Sequence, residues 1–483
     1  MPRQLPRALG ALAIVACANT AQKAAPAEPQ VIIETGALAG RVDTASGAVV
    51  FEGIPYATPP VGDLRWRPPR PLARWKGVRA ANHLGHNCMQ HRPYGYIDAD
   101  AGAGKSEDCL YLNVWTPSTS GSHPVMVWIH GGGFFAGWGG LEFNNPGPLT
   151  KKGAIVVTLN YRLGAFGFMA HPALAAESPQ HSSGNYGLLD QISALQWVRR
   201  NIDRFGGDPT RVTIFGESAG GMSVGSLIGS PLAKGLFQRA IMQSGTGTTL
   251  TQSRAEGEAH GVKLAEAAGV VGTDATALAR LRALPADFIL AAAVKMQPDS
   301  QTPILWPAID GWVLPHPVDS AIVLGVGTLP PILVGSNRDE PEETFGAPSR
   351  SLARLVSARG VPAYVYLFTR VGDDSVSRRG GAYHGSEITF VFGRPQPLAA
   401  FMGHASYDSI LADAMSSYWV AFATSADPNG PPSAGKLPHW PRYDPATDAT
   451  MELGPQLVVR KLLRRATYDS LDAAARVQGQ IRP

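Results

Sequence analysis

The 483-residue sequence predicts an α/β fold, in which helices cover both faces of a central, mostly parallel β-sheet. Two patterns carry this prediction. Short, almost continuously apolar runs rich in β-branched residues are typical of strands buried on both faces. Between these runs lie helical stretches, notably 187–205. In this segment apolar residues recur three and four positions apart. Those residues are Leu188, Ile192, Leu195, Val198 and Ile202.

Six segments have the composition of buried strands. They are 124–129, 153–159, 212–215, 238–242, 331–334 and 363–368. In open α/β sheets, reactive groups gather at the carboxyl ends of the strands. The loops that follow these six segments are therefore where functional residues are expected. No repeat, long charge run or clear linker interrupts residues 31–483, which favours a single domain.

The charge balance limits the kinds of partner. Lys and Arg number 42 against 38 Asp and Glu, a net charge of +4, and these charges are scattered rather than gathered into a basic stripe. A nucleic-acid partner is therefore not expected. No run of eighteen or more apolar residues occurs, so no transmembrane helix is expected.

The first thirty residues have the pattern of a secretory signal peptide. Arg3 and Arg7 precede a short apolar run at 8–16, which is followed by small residues. Two interpretations remain open: cleavage at the small-x-small site around Cys17, or a bacterial lipoprotein signal in which Cys17 is lipidated and begins the mature chain. Either way the mature protein is expected to be secreted, periplasmic or lipid-anchored in the bacterial envelope.

The expected export bears on the state of the cysteines. The chain has three, and if Cys17 is removed or lipidated, Cys88 and Cys109 remain as a pair. An even remainder in an oxidising compartment favours a disulfide. The alternative is two unrelated buried thiols.

A candidate nucleophile follows the third predicted strand. Residues 216–220 read Gly-Glu-Ser-Ala-Gly, with a strand before them and a helical pattern after them. A serine on such a sharp turn projects its hydroxyl above the sheet, and small residues two positions away on each side let the turn close. The amides at the start of the following helix favour developing negative charge. The sequence therefore predicts that Ser218 is a nucleophile.

A glycine-rich loop supplies candidate oxyanion donors. The predicted strand 124–129 runs into His-Gly-Gly-Gly-Phe at 130–134, where successive glycines leave backbone N–H groups unobstructed. In sites of this type one donor amide follows the nucleophile and others come from an early strand-end loop. Gly132, Gly133 and Ala219 are the predicted donors.

The base and the acid should follow Ser218 in the order acid, then histidine. Five histidines lie beyond it: His260, His316, His384, His404 and His439. His384 alone lies in a glycine-flanked loop after a predicted strand, and it is the preferred base. Asp339 and Glu340 follow the strand 331–334. Adjacent side chains on an extended segment face opposite ways, so only one of them can address the imidazole, and spacing does not say which.

Several further motifs resemble one family. They are Phe-Glu-Gly-Ile-Pro-Tyr-Ala at 51–57, Leu-Arg-Trp at 64–66, Ser-Glu-Asp-Cys-Leu-Tyr-Leu-Asn at 106–113, Asn-Tyr-Arg at 160–162, Gly-Asn-Tyr-Gly-Leu-Leu-Asp-Gln at 184–191, Phe-Gly-Gly-Asp-Pro at 205–209 and Asp-Pro-Asn at 427–429. Together with the loops above they resemble the type B carboxylesterases, which include cholinesterases and bacterial para-nitrobenzyl esterases. The resemblance extends from about Ile32 to Tyr443. It implies an α/β-hydrolase fold and hydrolysis of carboxylic esters.

The resemblance also implies roles for individual residues. It assigns the acid to Glu340, which completes a triad with Ser218 and His384, and it implies a disulfide between Cys88 and Cys109. It further implies two structural ion pairs. These pairs are Arg65 with Glu107 and Arg162 with Asp190.

Three departures from the family pattern bear on function. Pro341 stands where the family usually has Gly after the acid, which predicts an altered local backbone. The loop 89–108 lacks the Trp that cholinesterases use to bind quaternary ammonium, which argues against choline esters. The interval of 44 positions between Glu340 and His384 is shorter than is usual in relatives, which predicts a more open site.

The expected reaction is two-step acyl transfer. Ser218, deprotonated by His384, attacks the carbonyl of a small-molecule ester, Glu340 orients the imidazole, and water then hydrolyses the acyl-enzyme. This chemistry requires no metal and no organic cofactor. Two alternatives are an acyltransferase that uses the same triad, and a catalytically inactive adhesion or scaffolding module. The filled triad positions argue against the inactive module.

Overall fold

The computed structural model describes residue 1 and residues 28–91, 103–140, 145–250, 252–296, 305–372, 380–393, 408–430 and 437–477. The predicted signal peptide up to residue 27, including Cys17, lies outside this part of the chain. So does the middle of the loop 89–108. Within the described ranges, no helix is long and apolar enough to cross a membrane.

The described chain alternates strands and helices. The strands are β1 (Gln30–Ile33), β2 (Gly36–Ala39), β3 (Arg41–Val42), β4 (Val49–Pro55), β5 (Val78–Ala80), β6 (Asn87–Cys88), β7 (Lys105–Ser106), β8 (Tyr111–Thr116), β9 (His123–Ile129), β10 (Ile155–Leu159), β11 (Gly207–Glu217), β12 (Arg239–Gln243), β13 (Ile332–Asn337), β14 (Ala363–Phe368), β15 (Thr450–Leu453) and β16 (Leu457–Arg460). The α-helices are α1 (Gly147–Lys151), α2 (Gly164–Gly167), α3 (Pro172–Glu177), α4 (Tyr186–Asn201), α5 (Ala219–Gly229), α6 (Arg254–Ala267), α7 (Ala275–Ala283), α8 (Ala286–Met296), α9 (Val318–Leu324), α10 (Ala347–Ser357), α11 (Ile388–Val391), α12 (Asp408–Ser425) and α13 (Arg465–Val477).

Eleven of these strands form one sheet in the order β16-β15-β14-β13-β12-β11-β9-β10-β8-β4-β3. Pairing is parallel from β10 through β9, β11, β12, β13 and β14 to β15. It is antiparallel at both edges, where β16 pairs with β15 and where β8, β4 and β3 follow β10. The prediction of a central, mostly parallel sheet is confirmed.

The six predicted strands correspond to β9 through β14, and the predicted helix 187–205 appears as α4 followed by a 3₁₀ turn at Ile202–Phe205. The eight strands before residue 123 are not among those that the sequence predicts. Six of these eight strands have four residues or fewer, and β4 shifts register between Phe51 and Ile54, where Gly53 has a φ of 67°. A strand interrupted in this way lacks the continuous apolar run by which the central strands are recognised.

The sheet separates two apolar cores, because side chains of a strand point alternately to its two faces. In β9, Val127 contributes to one core and Trp128 to the other. Helices α4 and α5 cover the first face, and α12 covers the second, where Trp419 is fully buried. Burial on both faces explains why the central strands are apolar at nearly every position.

Two buried ion pairs tie the loops near the sheet to neighbouring elements. Arg65 and Glu107 approach to 2.5 Å. Arg162, which follows β10, makes two charge-assisted hydrogen bonds of 2.7 Å to Asp190 in α4. Both pairs expected from the family resemblance are therefore present. Because each charge is buried with its partner, loss of one member would leave the other uncompensated.

The two cysteines in the described part of the chain form a disulfide. The sulfur atoms of Cys88 and Cys109 are 2.03 Å apart, and the bridge closes a loop of sequence separation 21. Both residues are buried. The bridge thus fixes the base of the loop 89–108.

Candidate active site

Ser218 lies on the sharp turn between β11 and α5. Its backbone has φ 57° and ψ −124°, a strained conformation for a residue with a side chain. The turn needs glycine on both sides: a Cβ on Gly216 would lie 2.5 Å from the backbone of Gly220, and a Cβ on Gly220 would lie 2.0 Å from the carbonyl oxygen of Ile129. The amide of Ser218 donates to the carbonyl of Gln243 at the end of β12 (2.9 Å). The strain is therefore held by contacts with both neighbouring strands.

The loop after β9 lies directly against this turn. A Cβ on Gly131 would be 3.3 Å from the Cβ of Ser218. Gly132 and Gly133 have φ of 107° and 61°, which favours glycine at both positions. In the part of the chain that the structure describes, no acceptor takes a hydrogen bond from the amides of Gly132, Gly133 or Ala219. These amides are free to bind an oxygen atom of a ligand.

His130 fixes the start of this loop. Its buried imidazole stacks on Tyr161 with ring centroids 4.4 Å apart, and its Nδ1 donates to the carbonyl of Gly131 (2.8 Å). Burial lowers the pKa of His130 to about 4, so the ring is neutral near neutral pH. A neutral, stacked histidine supports the backbone without adding a charge beside the site.

Glu340 and His384 are brought together after β13 and β14. Oε1 of Glu340 lies 2.5 Å from Nδ1 of His384. Its second oxygen accepts hydrogen bonds from the hydroxyl of Ser244 (2.9 Å) and the amide of Asn337 (2.6 Å). The Glu340 side chain is 1% exposed, whereas that of His384 is 41% exposed. A buried carboxylate thus orients an imidazole that remains partly exposed. The ring of Phe345 stacks on that imidazole at 4.7 Å.

The neighbouring acid faces away from the imidazole. Asp339 accepts a hydrogen bond from the amide of Ala382 (2.6 Å) and pairs with Arg338. The two adjacent carboxylates therefore separate, as the extended segment requires. Pro341, with φ −58°, begins a π-helical turn at Glu342–Gly346, and this backbone allows the contact between Glu340 and His384.

A second carboxylate contacts the same imidazole. Oε1 of Glu217 lies 3.3 Å from Nε2 of His384, and the Glu217 side chain is only 6% exposed. No hydrogen bond joins Ser218 and His384 among the described residues. Catalytic hydrogen bonds are often long or misaligned without substrate and tighten only when substrate binds. In this unliganded arrangement, Glu217 occupies the position beside Nε2.

A third carboxylate lies behind the first two. Glu387 is fully buried and accepts hydrogen bonds from Gln243 (3.0 Å) and Asn337 (2.6 Å). Gln243 in turn accepts a hydrogen bond from the indole of Trp419 (3.1 Å). Asn337 thus donates to Glu340 from its backbone amide and to Glu387 from its side-chain amide. The polar groups form one network from the core to the imidazole.

These charges shift the pKa values of the groups involved. Burial lowers the pKa of His384, but the negative charges of Glu217 and Glu340 and the hydrogen bond to Glu340 outweigh it and raise this pKa to about 9. Burial raises the pKa of Glu217 to about 8, although the nearby imidazole opposes this shift.

Several residues of this site have no role that the sequence predicts. Glu217 and Phe345 contact His384, Ser244 contacts Glu340, and Glu387 is joined to Glu340 through Asn337. One signal was available for Glu217, because a carboxylate at the end of an apolar, buried strand needs a partner. The others come together only through the fold, since their partners are distant in sequence.

Comparisons with known proteins decide the family. The profile of the carboxylesterase family matches residues 27–345 and 341–471, which is most of the chain. The chain belongs to the carboxylesterase family. It has the α/β-hydrolase fold and hydrolyses carboxylic esters, and so it is not an inactive scaffolding module.

Individual relatives cover nearly the whole carboxylesterase. The fumonisin B1 esterase of Sphingopyxis macrogoltabida is 37% identical, over 90% of this chain and 88% of the relative. The para-nitrobenzyl esterase of Bacillus subtilis is 34% identical, over 86% and 93%. A solved structure of a PNB esterase superposes with a TM-score of 0.82 at 30% identity, covering 94% of this chain and 100% of the other. The Geobacillus stearothermophilus carboxylesterase gives a TM-score of 0.80 at 32% identity, covering 91% and 99%.

The contact between Glu217 and His384 predicts a pH effect in this carboxylesterase. The substitution Glu217→Gln removes a negative charge beside the imidazole, so the pKa of His384 should fall below about 9. Because a neutral imidazole is required to accept a proton, the acid limb of kcat/KM should move to lower pH. NMR titration of His384 and a pH–rate profile measure the two effects.

A matched control is Glu266→Gln, which removes an exposed carboxylate from α6. This control should leave both the titration and the pH–rate profile unchanged. An acid limb that stays in place in Glu217→Gln would show that Glu217 carries no charge in the active enzyme, contrary to the expectation.

Proposed function

We propose that this carboxylesterase hydrolyses its substrates through an acyl-enzyme on Ser218, with His384 as general base and Glu340 as the acid that orients it. The observation that carries the proposal is the buried contact of 2.5 Å between Glu340 and His384 at the same sheet edge as the strained Ser218 turn. A strained, partly exposed serine at the same sheet edge as an oriented imidazole is the arrangement that nucleophilic acyl transfer requires.

The first step forms the acyl-enzyme. Oγ of Ser218 attacks the ester carbonyl while Nε2 of His384 accepts the hydroxyl proton. This requires Nε2, which lies beside Glu217 without a hydrogen bond to it, to form a hydrogen bond with Ser218 when the ester binds. The carbonyl oxygen gains negative charge, which the free amides of Gly132, Gly133 and Ala219 bind. Glu340 stabilises the imidazolium without taking its proton.

The acyl-enzyme is complete when the alcohol departs: the imidazolium gives its proton to the alcohol oxygen, and the bond between that oxygen and the acyl carbon breaks. In the second half of the reaction, water attacks the acyl-enzyme while His384 again accepts a proton. The imidazolium then returns this proton to Oγ of Ser218 as the bond between Oγ and the acyl carbon breaks and the acid product leaves. No other group has to supply or remove electrons.

Loss of the nucleophile tests this mechanism. Ser218→Ala should lower kcat for a para-nitrophenyl ester by on the order of a million-fold, as removal of a catalytic serine does in other hydrolases. The fold should persist, because alanine keeps the small size of the side chain, and the thermal unfolding midpoint checks this. A variant that retained a tenth of the parent activity would contradict the assignment of Ser218.

The adjacent acids provide the matched pair for the same test. Glu340→Gln keeps the size of the side chain but removes the charge that orients His384, and it should lose most of kcat. Asp339→Asn alters a carboxylate one position away that contacts Ala382 and Arg338, and it should remain active. The reverse ranking would assign the acid to Asp339.

We also infer an open substrate site. Within the described residues, a π-helical turn and α10 are the only helical elements between Glu340 and β14, and the family profile divides its match at residues 341–345. The 41% exposure of the His384 side chain is consistent with few covering elements. With fewer helices lining the site, the substrate makes less apolar contact with the protein. Loss of 100 Å² of such contact weakens substrate binding by about 2.5 kcal/mol.

A graded ester series measures this openness. Small para-nitrophenyl esters should show KM values in the upper part of the range of about 1 μM to 1 mM that is usual for enzymes. Bulky acyl groups should be tolerated, and fumonisin B1 belongs in the series because a relative is named for it. A low micromolar KM for a small ester, together with rejection of bulky esters, would overturn the open site.

We infer further that the enzyme is exported. The N-terminal pattern of a signal peptide and the disulfide between Cys88 and Cys109 support this location, since disulfides persist in oxidising compartments. Intact-mass measurement on protein from a secreting bacterial host should show loss of the N-terminal segment. A mass increase for lipid on Cys17 would select the lipoprotein signal, and an uncleaved chain would contradict export.

A further inference from the structure

The C-terminal helix of this carboxylesterase reaches the loop that carries Glu340. Arg464, immediately before α13, donates from Nη2 to the carbonyl of Arg338 (3.0 Å). Its Nη1 lies 2.7 Å from Oε1 of Glu342. Arg338 and Glu342 are the residues two positions before and two positions after Glu340. One guanidinium therefore spans the loop on both sides of the acid.

The guanidinium is suited to this task. It is planar and presents donors in a fixed fork, so two bonds made by one group also fix the distance between their acceptors. The side chains of Arg464 and Glu342 are 23% and 28% exposed, which leaves the pair partly shielded from water. An ion pair in that setting is screened less than one on the open surface.

Helix α13, which begins directly after Arg464, is itself held by contacts with α10. The side chain of Arg350 in α10 is 5% exposed and contacts Asp469 (2.8 Å) and Asp472 (3.6 Å) of α13. The hydroxyl of Ser351 donates to Asp472 at 2.5 Å. Helix α10 directly follows the π-helical turn. The segment that begins with Arg464 is therefore joined to the loop of Glu340 through Arg464 and to α10 through Asp469 and Asp472.

The other contacts of Glu340 come from the opposite side. Ser244 and the amide of Asn337 hold its second oxygen, and both belong to strand ends in the sheet. They do not restrain the backbone that follows Glu340, where Pro341 starts the turn that brings Phe345 onto His384. Arg464 contacts this stretch at Glu342.

We propose that Arg464 is a positioning residue for Glu340, through which the C-terminal helix holds the acid and Phe345 against His384. The inference rests on the proposed role of Glu340 as the triad acid. A loosened loop would weaken the contact between Glu340 and His384. The imidazolium would then be less stabilised, which lowers kcat and lowers the pKa at which the base becomes neutral.

Four variants of the full-length enzyme test this role. Arg464→Met keeps the aliphatic stem and removes the contacts with Arg338 and Glu342, together with a hydrogen bond to Tyr468 of α13. Arg464→Lys keeps the charge but cannot reproduce the planar fork. Arg465→Met is the matched control, since among the described residues the neighbouring Arg465 forms an ion pair with Asp469 alone, at 3.7 Å. Glu342→Gln removes the ion pair between Arg464 and Glu342 but leaves the hydrogen bond to the carbonyl of Arg338. It replaces Arg464→Met as the test if that variant does not fold.

The readouts are kcat and KM for para-nitrophenyl acetate, the pH–rate profile and the thermal unfolding midpoint. Arg464→Met should lower kcat by on the order of tenfold to a hundredfold, as small misplacements of reacting groups do, with little change in KM. The acid limb of the pH–rate profile should move to lower pH. His384 faces Glu217, Glu340 and Glu387, and only its contact with Glu340 should change. Arg464→Lys should recover part of kcat, and Glu342→Gln should lose less than Arg464→Met.

The outcomes separate this inference from the proposed mechanism. If Arg464→Met matches Arg465→Met in kcat and in pH profile, Arg464 is structural and the inference is overturned. If Glu340→Gln is as active as the parent, the proposed acid is wrong. If Glu340→Gln is inactive, adding Arg464→Met should cause no further loss, because the two substitutions disable the same contact. An additional loss in the double variant would also overturn the inference.

Discussion

Parallel pairing from β9 to β14 is the constraint on which the site depends. Because these strands run in one direction, their carboxyl ends meet at a single edge of the sheet. The glycine loop leaves β9 there, Ser218 follows β11, Ser244 follows β12 and Glu340 lies beyond β13. Residues separated by more than a hundred positions thus become neighbours without any long loop. Antiparallel pairing at this place would send alternate strand ends to the opposite edge.

The second feature is the concentration of negative charge around one imidazole. Glu217, Glu340 and Glu387 are all buried, and burial of a carboxylate is costly unless it is hydrogen-bonded or paired. One backbone amide and one hydroxyl donate to Glu340, and two side-chain amides donate to Glu387. When the imidazole of His384 is protonated, its positive charge partly neutralises the negative charge of these carboxylates. The chemistry and the stability of this region therefore depend on the same proton, and a change of pH alters both together.

Sequence patterns were sufficient for the architecture at the centre of the molecule and insufficient at its edges. The strands β9 to β14 are buried on both faces, so nearly every residue in them is apolar and the signal is strong. The early strands β4 and β8 pair antiparallel near an edge, and β4 is broken by a register shift at Gly53. Such strands carry no continuous pattern, and their position is set by the strands they pair with.

The same division applies to the site. Ser218, the glycine loop and a candidate histidine were recognisable in the sequence, because a sharp strand-to-helix turn and an unobstructed backbone require particular residues at particular spacings. Local spacing could not choose between Asp339 and Glu340, nor could it reveal that Glu217 touches His384, that Phe345 stacks on it or that Arg464 spans the acid loop. Those contacts join residues that the chain keeps apart. Only the packing of strands and helices brings them within the few ångströms over which hydrogen bonds and charges act.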